Sequence, residues 1–107
     1  MAIFQGGNAP IIAEFDEDMT NVPGISCGLY VYGTEQKHWE KDDAVIDGNI
    51  VSFPMTQEES AAFTPGQCEI CIKTYASDGS VIMYAVERDC IVERDDREHR
   101  FSSEVAE

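Results

Sequence analysis

Four stretches of this chain place an apolar residue at every second position, and that period restricts the fold more than any other feature. Ile25, Cys27, Leu29 and Val31 alternate with Ser26, Gly28, Tyr30 and Tyr32. Successive side chains of a strand point to opposite faces, so this pattern marks a half-buried strand. Val51, Phe53 and Met55 repeat it after Asp47-Gly48, a dipeptide that favours a tight turn. Cys68, Ile70, Ile72 and Thr74 form a third set, and Ile82, Tyr84 and Val86 a fourth. Ile11 to Phe15 reads as a first strand entered through Pro10. A short strand is expected around His38, Trp39 and Glu40.

The turn between the third and fourth sets fixes their register. A two-residue loop at Asp78-Gly79 would set Ile70 opposite Glu87, whereas a three-residue loop, Ser77-Asp78-Gly79, sets Ile72 opposite Tyr84 and Ile70 opposite Val86. The second arrangement keeps both apolar sets on one face and is the one expected. The helical signal is Met55 to Phe63, with Thr56 as N-cap and Glu59 three residues on to complete a capping box. Thr64-Pro65-Gly66-Gln67 then fits a type II turn, with Phe63 closing the core. Short strands at this spacing, with one short helix between them, predict an all-β immunoglobulin-like sandwich.

The chain has 107 residues, enough for one domain and one core. The domain is expected over residues 1–92. Residues 93–107, ERDDREHRFSSEVAE, are mostly charged and read as a flexible acidic tail. Seven basic against 21 acidic residues give a formal charge of −14. A field of that sign repels phosphate backbones and anionic lipid, so neither nucleic acid nor membrane is an expected partner. The opening Met1 to Gly7 carries no basic n-region or long apolar stretch. No signal peptide is therefore expected, and synthesis in a bacterial cytoplasm would keep Cys27, Cys68, Cys71 and Cys90 as thiols.

Cys68-Glu69-Ile70-Cys71 has CxxC spacing, and Cys27 and Cys90 would complete a four-thiolate zinc site. Residues three apart on a strand face opposite ways, however, so core thiols are the expected reading, with no metal and no cofactor. His38 and His99 lack metal spacing, and no serine lies in a GxSxG context. Asp16-Glu17-Asp18 starts like a calcium loop, but its sixth position is Asn21 and its twelfth Cys27. The acidic groups there, at Glu40 with Asp42-Asp43 and at Glu93 with Asp95-Asp96 read as solvated loop charge. No catalytic residue stands out. Tyr30, Tyr32 and Tyr75 fall opposite the core sets. They make either a patch for a protein partner or outward rings packed under neighbouring loops.

The layout resembles short proteins of phage and prophage tail or baseplate clusters in Gram-positive bacteria. The features that carry the likeness are Gln5-Gly6-Gly7-Asn8-Ala9-Pro10 before the first strand, Thr56 to Phe63, Thr64-Pro65-Gly66, and Cys68 to Lys73 before the Asp78-Gly79 hairpin. This group is similar to the immunoglobulin-like N-terminal domain of upper baseplate proteins. The resemblance implies a non-enzymatic structural module whose partners are other tail or baseplate proteins, or further copies of itself. Two other classes fit single features. The charge suits an acidic mimic of DNA that occupies a nucleic-acid-binding protein, and the CxxC suits a zinc- or thiol-dependent regulator.

Overall fold

The computed structural model describes residues 1–94, in which strands are the predominant element. In chain order these are β1 (Ala2–Phe4), β2 (Ile11–Glu14), β3 (Gly24–Val31), β4 (Thr34–Trp39), β5 (Val45–Asp47), β6 (Ile50–Phe53), β7 (Gly66–Tyr75) and β8 (Val81–Glu93). One helix, α1 (Gln57–Ala61), and a 3-10 turn at Lys41–Asp43 complete the set. Five strands form one sheet in the order β1-β8-β7-β3-β4, and three form another in the order β2-β6-β5. All pairings are antiparallel except β1 with β8. The described residues are mostly β with one short helix, as the alternation predicts.

A single apolar cluster draws on both sheets. The large sheet contributes Ile25, Cys27, Leu29, Val31, Trp39, Cys68, Ile70, Cys90 and Val92; the small one contributes Ile11, Val51 and Phe53. Trp39 ties the two together. Its Nε1 donates to the Pro54 carbonyl just beyond β6 at 2.6 Å, and its ring meets that of Phe53 with centroids 6.1 Å apart. A buried indole N–H needs such a partner, so this contact also fixes the ring's orientation.

The local signals act where expected. The Thr56 hydroxyl accepts from the Glu59 amide at 3.0 Å, and the Glu59 carboxylate accepts from the Thr56 amide at 2.8 Å, which is the capping box. Lys37 of β4 pairs with Glu59, and Ser60, fully buried, donates to the Gly7 carbonyl. Phe63 is buried in the core cluster. Asp47 and Ile50 flank the tight β5–β6 turn, whose Gly48 has φ +63.

β1 has no signal in the alternation, because three residues are too few to show a period, and three expectations need correction. β4 is longer than expected and stops at Trp39; it is joined to β3 by Tyr32-Gly33, both left-handed, at φ +52 and +78. Gly66 begins β7 at φ +137, away from the roughly +80 of a type II turn. β8 also runs to Glu93, one residue into the segment read as tail.

The hairpin register is the largest correction. The Ser77-Asp78-Gly79 loop forms, with Gly79 at φ +88 and Ala76 bonded to Ser80, and Tyr75 pairs with Val81. Two β-bulges then follow. Thr74 pairs with Met83, leaving Ile82 as an extra residue, and this sets Ile72 opposite Ala85 and Ile70 opposite Glu87. A second irregularity lets Arg88 and Asp89 oppose Glu69 alone, so that Cys68 meets Cys90. Each bulge exchanges the two faces of β8. The first therefore turns Tyr84 and Val86 outward, against the expectation that they line the core, and the second turns Cys90 and Val92 back in.

Candidate interaction surface

Two features of the large sheet are open to a partner: its outer face, and the free edge of β8. The outer face carries Ser26, Gly28 and Tyr30 of β3, Glu69, Cys71, Lys73 and Tyr75 of β7, and Tyr84 and Val86 of β8, as the pairings require. Its polar groups are mutually engaged. Ser26 bonds the Tyr75 hydroxyl at 3.1 Å, Arg88 pairs with Glu69 at 2.7 Å, and the Lys73 ammonium lies 5.4 Å from the centre of the Tyr84 ring. The Tyr84 hydroxyl donates to the Cys71 sulfur at 3.8 Å, and that contact raises its pKa.

The three tyrosines singled out in the sequence do not form one patch. Tyr30 pairs with Glu69 at one end of β3 and Tyr75 with Gly24 at the other. Six residues separate those pairs, roughly 20 Å along a strand. Tyr32 sits in the turn beyond. Instead each ring covers a glycine: a Cβ built on Gly28 would meet Tyr30 at 2.7 Å, one on Gly66 would meet Tyr32 at 2.7 Å, and one on Gly24 would meet Tyr75 at 3.3 Å. An aromatic ring laid over a strand glycine replaces the packing its missing side chain cannot give. Tyr84, which the alternation alone assigns to the core, lies on this face instead.

The edge is the more open feature. β1 pairs with β8 only at Ile91, Val92 and Glu93. Among the described residues nothing pairs with Val81 to Arg88 on that side. The stretch Val81-Ile82-Met83-Tyr84-Ala85-Val86 holds no charge, glycine or proline. Val81, Ile82 and Tyr84 are 52%, 65% and 57% exposed. The opposite edge, β4, carries Glu35, Lys37 and His38, with His38 bonded to Glu40 at 2.7 Å. Charge of that kind is how a sheet edge is kept from pairing; β8 has none along six residues.

The cysteines divide as the strand geometry requires. Cys27 and Cys68 are buried, and Cys71 lies on the other face. Burial pushes the Cys27 and Cys68 thiols up to about 12 and raises Cys90 as well. Cys68 and Cys90 touch across the ladder, with sulfurs 2.7 Å apart. Among the described residues no group of three or more His, Cys, Asp or Glu side chains is placed to hold a metal ion. In the acidic loop, Asp18 accepts from the Thr20 amide and hydroxyl, which lowers its pKa. His99, Asp95 and Asp96 lie outside the described residues. No helix among the described residues is long and apolar enough to cross a membrane.

Comparisons of the chain with protein-family models, with curated proteins and with solved structures find no match.

Proposed function

We propose that this chain is a non-enzymatic interaction module that binds a protein partner by strand addition at the free edge of β8. The observation that carries this reading is the bare, uncharged run Val81 to Val86, left unpaired beside the short β1. In strand addition the main-chain hydrogen bonds supply affinity, and alternate side chains, here Ile82 and Tyr84, supply selectivity.

The frame we propose is immunoglobulin-like. In that fold strands B, E and D share one sheet and C, F and G the other, with C′ beside C in the variable type. The order β2-β6-β5 against β8-β7-β3-β4 corresponds to B-E-D against G-F-C-C′. The first strand departs from the constant-type pattern, since β1 lies along β8 rather than on the B-E-D sheet.

The setting we propose, a phage or prophage tail or baseplate, is supported by the sequence likeness of Thr56 to Phe63, Thr64-Pro65-Gly66 and Cys68 to Lys73. The partner would be another tail or baseplate protein, or further copies of this chain. Titration calorimetry of the purified chain against the products of genes beside its own tests the reading, with light scattering to detect self-association. At least one complex is expected. The double variant I82K/Y84K should lose it while melting like the parent, because both positions are more than half exposed. A chain that stays monomeric and binds none of those products contradicts the proposal.

A further inference from the structure

We propose that Cys68 and Cys90 are a disulfide-forming pair, joined across the β7–β8 ladder by an oxidant of the glutathione disulfide class. This inference is independent of the interaction reading, and it narrows the expectation of four plain thiols. The two residues face each other in antiparallel register. Opposed Cα atoms in such a ladder lie roughly 4.5–5.5 Å apart, within the roughly 4.4–6.8 Å that a disulfide spans. The sulfurs already sit at 2.7 Å, inside the roughly 3.5–4.0 Å at which non-bonded heavy atoms settle. Closure therefore needs no strand to move.

Neither of the other cysteines competes. Cys27 is on β3 opposite Ile72, with β7 between it and β8. Cys71 pairs with Val86 on the opposite face from Cys68. The second bulge creates the pair: without the extra residue opposite Glu69, Cys90 would point away from the core.

The chemistry is thiol–disulfide exchange. Cys90 lies against a surface groove lined by Met1, Ala2, Gln67, Asp89 and Ile91, so its thiolate attacks first and displaces one glutathione thiolate. The Cys68 sulfur, losing its proton, then attacks the Cys90 sulfur and displaces the second glutathione. Two S–H bonds are replaced by one S–S bond; two electrons and two protons end on the two glutathione thiols. Thiolate is scarce at these buried positions, so exchange is fastest while the hairpin is forming and slow once the core has closed. The bond closes the loop from Cys68 to Cys90 around the hairpin, and by loop-entropy arguments raises the melting temperature by roughly 10 °C.

The test refolds the reduced full chain in equimolar reduced and oxidised glutathione, quenches with acid, unfolds the chain in denaturant to block all free thiols with N-ethylmaleimide, and reads intact mass and peptide map. The expected product is mostly a chain two hydrogens lighter, blocked at Cys27 and Cys71, with peptides linked through Cys68 and Cys90. The variant Cys90→Ala should instead be blocked at all of its remaining cysteines. A parent chain blocked at every cysteine, carrying glutathione, or linked through Cys27 or Cys71 overturns the inference.

Discussion

The ring of Tyr32 lies across the backbone of Gly66, so that a Cβ on the glycine would stand 2.7 Å from the phenol oxygen. Both residues have positive φ, +52 for the tyrosine and +137 for the glycine. A left-handed turn residue thus covers a strand residue that tolerates no side chain. Gly66→Ala should destabilise the fold by about 2 kcal/mol or more, from backbone strain and the collision together. Adding Tyr32→Ala removes the collision and leaves the strain, so the double variant should recover only part of the loss. Urea denaturation of the three variants measures both parts.

Trp39 holds the two sheets through one hydrogen bond and its ring contact. Trp39→Phe keeps an aromatic ring but leaves the Pro54 carbonyl without its indole donor. A loss of roughly 2–3 kcal/mol is expected, from the unmet carbonyl and the smaller ring. A urea midpoint unchanged from the parent would show that this contact adds nothing.

The cap of α1 makes stability depend on acid. Hydrogen bonds from Lys37 and the Thr56 amide hold Glu59 below its usual 4.5. A depressed folded pKa means that the unfolded chain binds the proton more readily. The Glu59 contribution is therefore complete above pH ~4.5 and lost as pH falls through the folded value. Glu59→Gln should flatten that acid part of the stability–pH curve and, by removing the ion pair with Lys37, lower stability slightly at neutral pH, while Thr56→Ala should cost about 1 kcal/mol at pH 7. Thermal melts across the acid range compare them.

The thiols should react in an order set by burial. Cys71 is the most exposed, and burial keeps the other three protonated. In the folded, reduced chain at pH 8, a maleimide should label Cys71 first and reach Cys27 and Cys68 only on unfolding. Elemental analysis of the same sample should give far less than one zinc per chain; a ratio near one would restore the four-thiolate reading.

Much of this was legible because it was local. The Thr56–Glu59 box, the Gly79 turn and the alternation from Ile25 to Val31 depend on neighbours a few residues apart, and each formed. The pairing of β8 was not legible, because Ile82 looks like any strand residue until the partner strand is placed beside it. Once one residue is extra, Tyr84 and Val86 lie on the wrong side of any prediction made from their spacing. The outward position of Tyr84 is hidden for the same reason, since spacing alone assigns it to the core. Tyr30, Tyr32 and Tyr75 point away from the core as the alternation predicts, yet the glycines beneath them are distant in sequence or hidden within the same alternation.

The extra residues of β8 amount to spare length. Ile82 has no counterpart on β7, so a chain lacking it can close the gap and still set Cys71 against Val86 and Cys68 against Cys90. Removing Ala85 offers no such slack, since it takes away a residue that is already matched. Shortening this strand is thus a question of where, not only of how much, and Ile82 marks a place where the chain can be cut and rejoined without re-threading the core.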